Sequence, residues 1–503
     1  MDRMSEFSAS LIPAHIPRSN PPAGHPGAAA AGEGSSLDPQ DWTALRAQGH
    51  KMLDDLLDAM ETVGERPLWQ PAPEPARARM RRPLPAQATP LEVVHEDFLN
   101  DILPYGSGNA HPGFMGWVQG GGTPVGMLAE MLAAGLNANL GGREHMPIHV
   151  ERQITAWMAQ LFGFPADASG LFVTGTSIAN FMAVLIARTR ALGTGSRRGG
   201  MAGAGRNLTG YTSRVAHGCV GQAFEMAGLG SDYLRGVAVD DHHRMDITAL
   251  RAAVAADRAA GLEPFLIVGT AGSVDIGATD DLVALAAVAR EEKLWLHIDG
   301  AFGALAILAP ELAPRLAGIE QADSLAFDFH KWGQVPYDAG FLLCRDPALH
   351  RATFAADAPY LQRATEGMAS GAHWPCDYGP DLSRGFRALK TWFTLRTYGL
   401  DAIGASIARS CSLAQRLEQR IAATKGLCLM APVQLNIVCF GFTGADADRR
   451  NEAAVARLQA GGRVAPSLTR IDGHPAIRAA FVNHRTSEAD VDALVDLVLA
   501  VPA

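Results

Sequence analysis

The chain has 503 residues, is 48% hydrophobic and 19% charged, and sets 43 basic against 52 acidic residues for a net charge of −9. Such a composition supports a large buried core and argues against general disorder, and it lacks the positive surplus that a nucleic-acid surface needs. Six scattered cysteines (219, 344, 376, 411, 428 and 439) form no C-x-x-C pair, so no metal site and no disulfide framework is expected, and the setting is read as reducing and cytoplasmic.

Residues 1–36 are read as a flexible tail, because 11–36 are rich in Pro, Ala, Gly and Ser. No apolar run near Met1 suggests a secretory signal, and no uninterrupted apolar stretch is long enough for a membrane span. Over 37–65, Trp42, Leu45, Met52, Leu53, Leu56, Leu57 and Met60 recur at helical spacing, with Asp38 or Asp41 as the cap. The proline-rich stretch 66–90 reads as an extended arm, and a second helix is expected over 91–103. Apolar runs of strand length then alternate with helical segments: strands at 170–173, 264–268, 294–298, 324–327 and 341–344, helices at 177–190 and 280–292. This alternation predicts an α/β fold with a mostly parallel sheet, whose active residues gather at the carboxyl ends of the strands. A helix over 387–397, short strands at 435–442 and 476–481, and a capped amphipathic helix from Ser487 predict a smaller C-terminal α+β domain. The division expected is 1–36 tail, 37–117 N-terminal helical segment, 118–384 large domain and 385–503 small domain.

Only five basic residues are lysine: 51, 293, 331, 390 and 425. Lys331 follows an apolar strand in Ser324-Leu-Ala-Phe-Asp-Phe-His-Lys-Trp332, where partial desolvation favours Schiff-base chemistry. The others read as ordinary helix or turn residues. Asp299 ends the strand 294–298 and precedes Gly300-Ala301; a pyridinium N–H is one partner that repays a buried carboxylate there. Ala301 is small enough to lie against a planar ring. Gly175-Thr-Ser177 joins a strand to a helix and offers backbone N–H groups and hydroxyls to an anion. His217, after another short strand, carries an imidazole able to stack on a ring. Each is ordinary alone; together they supply what pyridoxal phosphate needs.

The spelling of these segments resembles the group II pyridoxal-phosphate amino-acid decarboxylases of fold type I. The likeness runs from about His111 to Arg485. His297-Ile-Asp-Gly-Ala301 resembles the family's H-[VI]-D-A-A segment and His330-Lys-Trp332 its H-K-[WM] signature; Arg384-Gly-Phe-Arg-Ala-Leu-Lys-Thr-Trp392 resembles its R-x-F-R-x-L-K-x-W helix. The segment from Ser213 through His217 and Gly228-Leu-Gly230 to Arg244-Met-Asp246 is similar as well. The resemblance implies a large domain built on a seven-stranded-type sheet and an N-terminal arm that clasps a second subunit in a homodimer with shared active sites. It implies that Lys331 forms the Schiff base, Asp299 holds the ring nitrogen, His217 stacks on the ring, and Thr176, Ser177 and His330 hold the phosphate. His111 and Trp117 are expected at the pocket of a small-molecule L-amino acid. Tyr360, in Ala355-Ala-Asp-Ala-Pro-Tyr-Leu361, is expected to return the proton to Cα from the neighbouring subunit. Two positions depart from the pattern: Phe329 stands where the family usually has proline, and Asp328 where many members have asparagine. An aspartate there repels phosphate unless it turns away or pairs with an arginine.

The activity implied is decarboxylation of an L-amino acid to amine and CO₂. Trp117 favours an aromatic or bulky side chain, whereas Arg143 and His145 fit an acidic one such as glutamate. Oxidative conversion to an aldehyde, and a silent homologue serving as a binding partner, are the rival readings.

Overall fold

The computed structural model describes residues 36–356, 362–371 and 373–502. Its contacts group the residues from Met52 onward as one compact unit, separate from those up to Lys51. The helix Trp42–Glu61 begins where Asp41 Oδ1 accepts the N–H groups of Thr43 and Ala44, so Asp41 is the cap. The stretch expected as an extended arm contains a helix, Glu74–Arg79, with Pro75 in its first turn, where the missing N–H costs nothing. Arg79 of that helix pairs with the buried carboxylate of Asp101, a partner 22 positions away that local composition does not reveal.

Strand β1 (Phe114–Met115) comes first in the chain. The main sheet follows with β2 (Ser169–Val173), β3 (Leu208–Ser213), β4 (Leu234–Val237), β5 (Glu263–Thr270), β6 (Trp295–Asp299), β7 (Ser324–Asp328) and β8 (Gly340–Cys344). Four more strands are β9 (Leu427–Leu429), β10 (Ile437–Phe442), β11 (Ala465–Ile471) and β12 (His474–Ala480). The seven-stranded sheet has the order β4-β3-β5-β6-β7-β8-β2. Neighbours from β4 through β7 are parallel, and β8 runs antiparallel to both β7 and β2. Every residue of β6, β7 and β8 is buried, as central strands covered on both faces require. The parallel directions bring the ends of β3, β5, β6 and β7 to one side of the sheet.

The second sheet has the order β1-β11-β12-β10-β9 and is antiparallel except for β1 beside β11. β1 lies in the segment expected to be purely N-terminal and helical, yet it pairs Phe114 with Ala465 and Met115 with Pro466. A two-residue strand has no period to read, so its pairing is fixed by tertiary contact alone.

The helix Arg387–Ala422 breaks at Gly399, whose φ of 73° suits glycine. Just before it, the guanidinium of Arg384 is fully enclosed: it pairs with Glu151 at 2.5 Å and donates to the carbonyls of Leu140 (3.0 Å) and Phe172 (2.9 Å). Removing one member of such a pair leaves a buried charge uncompensated. Arg384→Met is expected to lower stability by about 3 kcal/mol, read as a shifted urea midpoint at unchanged slope.

Candidate active site

A cavity of about 400 Å³ opens at the strand ends and is lined, among others, by Trp117, Thr176, Ser177, His217, Thr270, Asp299, Ala301, His330 and Lys331. All of these but Thr270 are expected site residues, and the fold brings them together. His111 departs from the expectation: it is buried on a second cavity with Leu103 and Arg485, and its Nδ1 accepts the N–H of Gly113. Tyr360 lies outside the described residues. Arg143 and His145 line a third cavity with Trp374, not the one that holds Lys331.

Asp299 is the last residue of β6. Its Oδ2 accepts from Asn180 Nδ2 at 2.9 Å and its Oδ1 from the Ala301 N–H at 3.1 Å. Burial pushes its pKa upward, against the opposing pull of Asn180, Lys331, the Ala301 N–H and His217. His217 accepts the Cys219 N–H at Nδ1 (3.2 Å), which leaves Nε2 to meet a ligand.

Asp328, the last residue of β7, is 2% exposed. Its Oδ1 accepts the N–H of Thr176, the first residue of the helix Thr176–Leu192, at 2.8 Å. Its Oδ2 lies 2.9 Å from Lys331 Nζ and 3.6 Å from His330 Nε2. The carboxylate therefore neither turns away nor finds an arginine; it takes the helix N-terminus and the lysine at once. His330 accepts the Ala339 N–H at Nδ1 (3.0 Å), its ring centroid lies 4.3 Å from that of Tyr337, and burial lowers its pKa.

Close backbone approach shapes the walls. A Cβ on Gly340 would sit 2.4 Å from Gly175 Cα, and one on Gly120 would sit 2.4 Å from the His330 carbonyl oxygen. Only glycine lets β8 pass the 174–176 turn and lets the 119–122 segment pack on the lysine loop.

Two lining residues, Thr270 and Tyr337, and Asn180 behind Asp299 escaped the sequence reading. Thr270 ends β5 directly beside Asp299 and was detectable as a polar strand end. Asn180 sits one turn inside the helix and carries no local signal. Tyr337 is placed by distant contacts: Lys390 Nζ donates to its carbonyl at 3.0 Å, and Arg387 Nε donates to Asp338 at 2.7 Å. Lys390, read as an ordinary helix residue, is thus buried.

Two buried hydroxyls on the cavity, Thr176 Oγ1 and Thr270 Oγ1, find no hydrogen-bond partner among the described residues. With a carboxylate at one strand end and a lysine past the next, this donor set fits a polar, phosphorylated pyridine aldehyde.

Comparison with known proteins gives the same cofactor. The model of the pyridoxal-dependent decarboxylase conserved domain matches residues 73–443. The aromatic-L-amino-acid decarboxylase of Bacillus atrophaeus is 29% identical over 463 residues, covering 89% of this chain and 93% of that protein. The 4-hydroxyphenylacetaldehyde synthase of Rhodiola rosea is 27% identical over 482 residues, covering 92% and 96%. The crystal structure of Oryza sativa TDC with PLP and tryptamine superposes with a TM-score of 0.84 at 23% identity, covering 93% of this chain and 99% of that one.

Asp328 sets a carboxylate at the N-terminus of the helix Thr176–Leu192, where an anion would dock. Asp328→Asn removes it and releases the Lys331 ammonium. Inorganic phosphate, titrated calorimetrically into the cofactor-free protein, is expected to bind roughly tenfold tighter to the variant, as the loss of one like charge across a partly screened site implies.

Proposed function

The chain belongs to the pyridoxal-dependent decarboxylase family and is a pyridoxal-phosphate enzyme acting on amino acids; from that premise we propose that it removes CO₂ from a bulky, aromatic L-amino acid and releases the amine. The observation that carries this reading is the convergence of Lys331, Asp299 and His217 on one cavity with Trp117 among its walls.

When bound, pyridoxal phosphate supplies a conjugated ring able to accept the electron pair left on Cα as the carboxylate departs. The chain's residues do the rest. Lys331 would provide the amine for the cofactor aldehyde. Asp299 would keep a proton on the ring nitrogen, without which the ring is a poor electron acceptor. His217 and Ala301 would lie against the ring, and Thr176, Ser177 and His330 would hold the phosphate. Trp117, with φ of 49° and 55% exposed, offers an aromatic face to a flat side chain. Its position is held by Ser467 Oγ, which accepts its N–H at 3.3 Å, and by Arg478, which donates to its carbonyl at 3.3 Å. Tyr360 returns the proton to Cα and thereby decides for amine over aldehyde; this role rests on its sequence setting. A tyrosine supplied by a neighbouring subunit makes the working unit a homodimer.

The aromatic relatives support the substrate class, and the aldehyde synthase among them makes product analysis decisive. The acidic-substrate reading loses support because Arg143 and His145 line another cavity of the chain. Three measurements test the proposal. Borohydride is expected to fix the cofactor to the wild type and not to Lys331→Ala. A panel of L-amino acids is expected to favour tyrosine, tryptophan and phenylalanine over glutamate and aspartate. Under air, wild type is expected to yield CO₂ and amine in equal amounts. Tyr360→Phe is expected to keep CO₂ release while aldehyde and ammonia replace the amine. A wild type that makes mainly aldehyde, or prefers glutamate, refutes the corresponding part.

A further inference from the structure

The strand β6 presents Trp295, His297 and Asp299 on one face, as the period of two dictates, and that face meets the helix Thr176–Leu192 through Asn180. Ser324, the first residue of β7, is the registered neighbour of His297. All five side chains are buried, from 0% to 4% exposed. They form one unbroken series: Trp295 Nε1 to Ser324 Oγ at 2.9 Å, Ser324 Oγ to His297 Nδ1 at 2.9 Å, His297 Nε2 to Asn180 Oδ1 at 2.8 Å, and Asn180 Nδ2 to Asp299 Oδ2 at 2.9 Å.

With Asp299 as a carboxylate, the chemistry of the groups fixes the direction of every bond. An indole N–H can only donate, so Ser324 Oγ accepts from Trp295 and its own proton is free for His297 Nδ1. Burial pushes the His297 imidazole down to about 3, so the ring is neutral and carries one proton. With Nδ1 accepting, that proton is on Nε2 and is donated to Asn180 Oδ1. The amide then points its N–H₂ at Asp299 and, at 3.2 Å, at Cys219 Sγ. The opposite tautomer, with Nδ1–H given to the Ser324 carbonyl at 3.2 Å, sets the Nε2 lone pair against Asn180 Oδ1. Turning the amide to relieve that clash sets its oxygen against Asp299. With Asp299 ionised, the series is satisfied in this direction only, with the carboxylate as acceptor at its end; a protonated Asp299 would require the His297 tautomer and the Asn180 amide to turn over together.

We propose that Asn180, His297, Ser324 and Trp295 form a directed hydrogen-bond relay whose task is to keep the buried Asp299 carboxylate ionised and aimed, and so to hold the cofactor's ring nitrogen protonated. Asn180 and His297 are positioning residues: they act through Asp299 and touch no reacting atom. The inference rests on the assignment of Asp299 to the ring nitrogen made above. An acceptor in Asn180's place would favour a protonated Asp299; the relay opposes that state, because reversing it requires the His297 tautomer and the Asn180 amide to turn over together and loses the Ser324 donation to His297.

The test uses the full-length protein and pyridoxal phosphate labelled with ¹⁵N in the ring. Two quantities are read: the dissociation constant, from quenching of tryptophan fluorescence, and the ring-nitrogen chemical shift, which separates the protonated from the neutral pyridine. Asn180→Leu is expected to weaken binding roughly ten- to hundredfold, the loss of one hydrogen bond to a charged acceptor, and to move the ¹⁵N signal toward the neutral position. His297→Phe is expected to do the same, and His297→Gln, which can still donate to Asn180 Oδ1, to recover most of both. The histidine pair carries the comparison even if Asn180→Leu fails to fold. A folded Asn180→Leu or His297→Phe protein with wild-type affinity and a wild-type ¹⁵N signal overturns the relay while leaving Asp299 in place. A wild-type enzyme with a neutral ring nitrogen overturns the Asp299 assignment, and the relay with it.

Discussion

The constraint on which the site depends is the cost of keeping charge out of water. Asp299 and Asp328 are both nearly inaccessible, and Lys331 stands 2.9 Å from the second of them. An isolated carboxylate in such surroundings neutralises itself. Each is compensated here because a parallel sheet delivers donors to it from neighbouring strand ends and from the helix that starts beside them. Asp299 draws on Asn180 and the Ala301 N–H; Asp328 draws on the Thr176 N–H and Lys331. The sheet order sets β6 next to β7, and that adjacency allows one cavity to hold both carboxylates without their sharing a donor.

What was legible in the sequence followed from local regularity. The buried strands announced themselves as apolar runs, and Lys331, Asp299, Thr176 and His217 could be picked out because they break those runs at their ends. The edge strand β1 and the helix Glu74–Arg79 were not legible: one is too short to have a period, and the other is held by an ion pair to a residue far along the chain. Asn180 is an unremarkable helix residue until β6 is packed against it. His111 was misplaced for the converse reason. Its neighbours in sequence reach the cavity through Trp117, yet Gly113 and Asn483 bond the segment so that the imidazole faces elsewhere. Asp328 stood out as a departure, with turning away or an arginine partner as the two ways out; nothing local says that a lysine three positions on can serve.

The helix signature from Arg384 to Trp392 shows that a family-like motif need not touch the chemistry. Arg384 closes a buried pair with Glu151, Arg387 holds Asp338, and Lys390 holds the Tyr337 carbonyl. The last two fix the turn that lays Tyr337 on His330. The motif is a brace: Arg387 and Lys390 hold the Tyr337-Asp338 turn through a carboxylate and a carbonyl, and that turn sets the ring that packs on His330.

The pairing of β1 with β11 has a consequence for how the molecule comes to exist. Trp117 is secured by Ser467, 350 positions later. Contacts of such separation form late, after the loop-closure entropy has been offset by other structure. On the ribosome the large sheet has all its strands well before residue 465 has been made, so a partly synthesised chain carries the lysine and both carboxylates but an unfastened wall. The wall that carries Trp117 is fastened only when β11 and β12 arrive to capture β1, so closing this side of the cavity waits for residues 465–480.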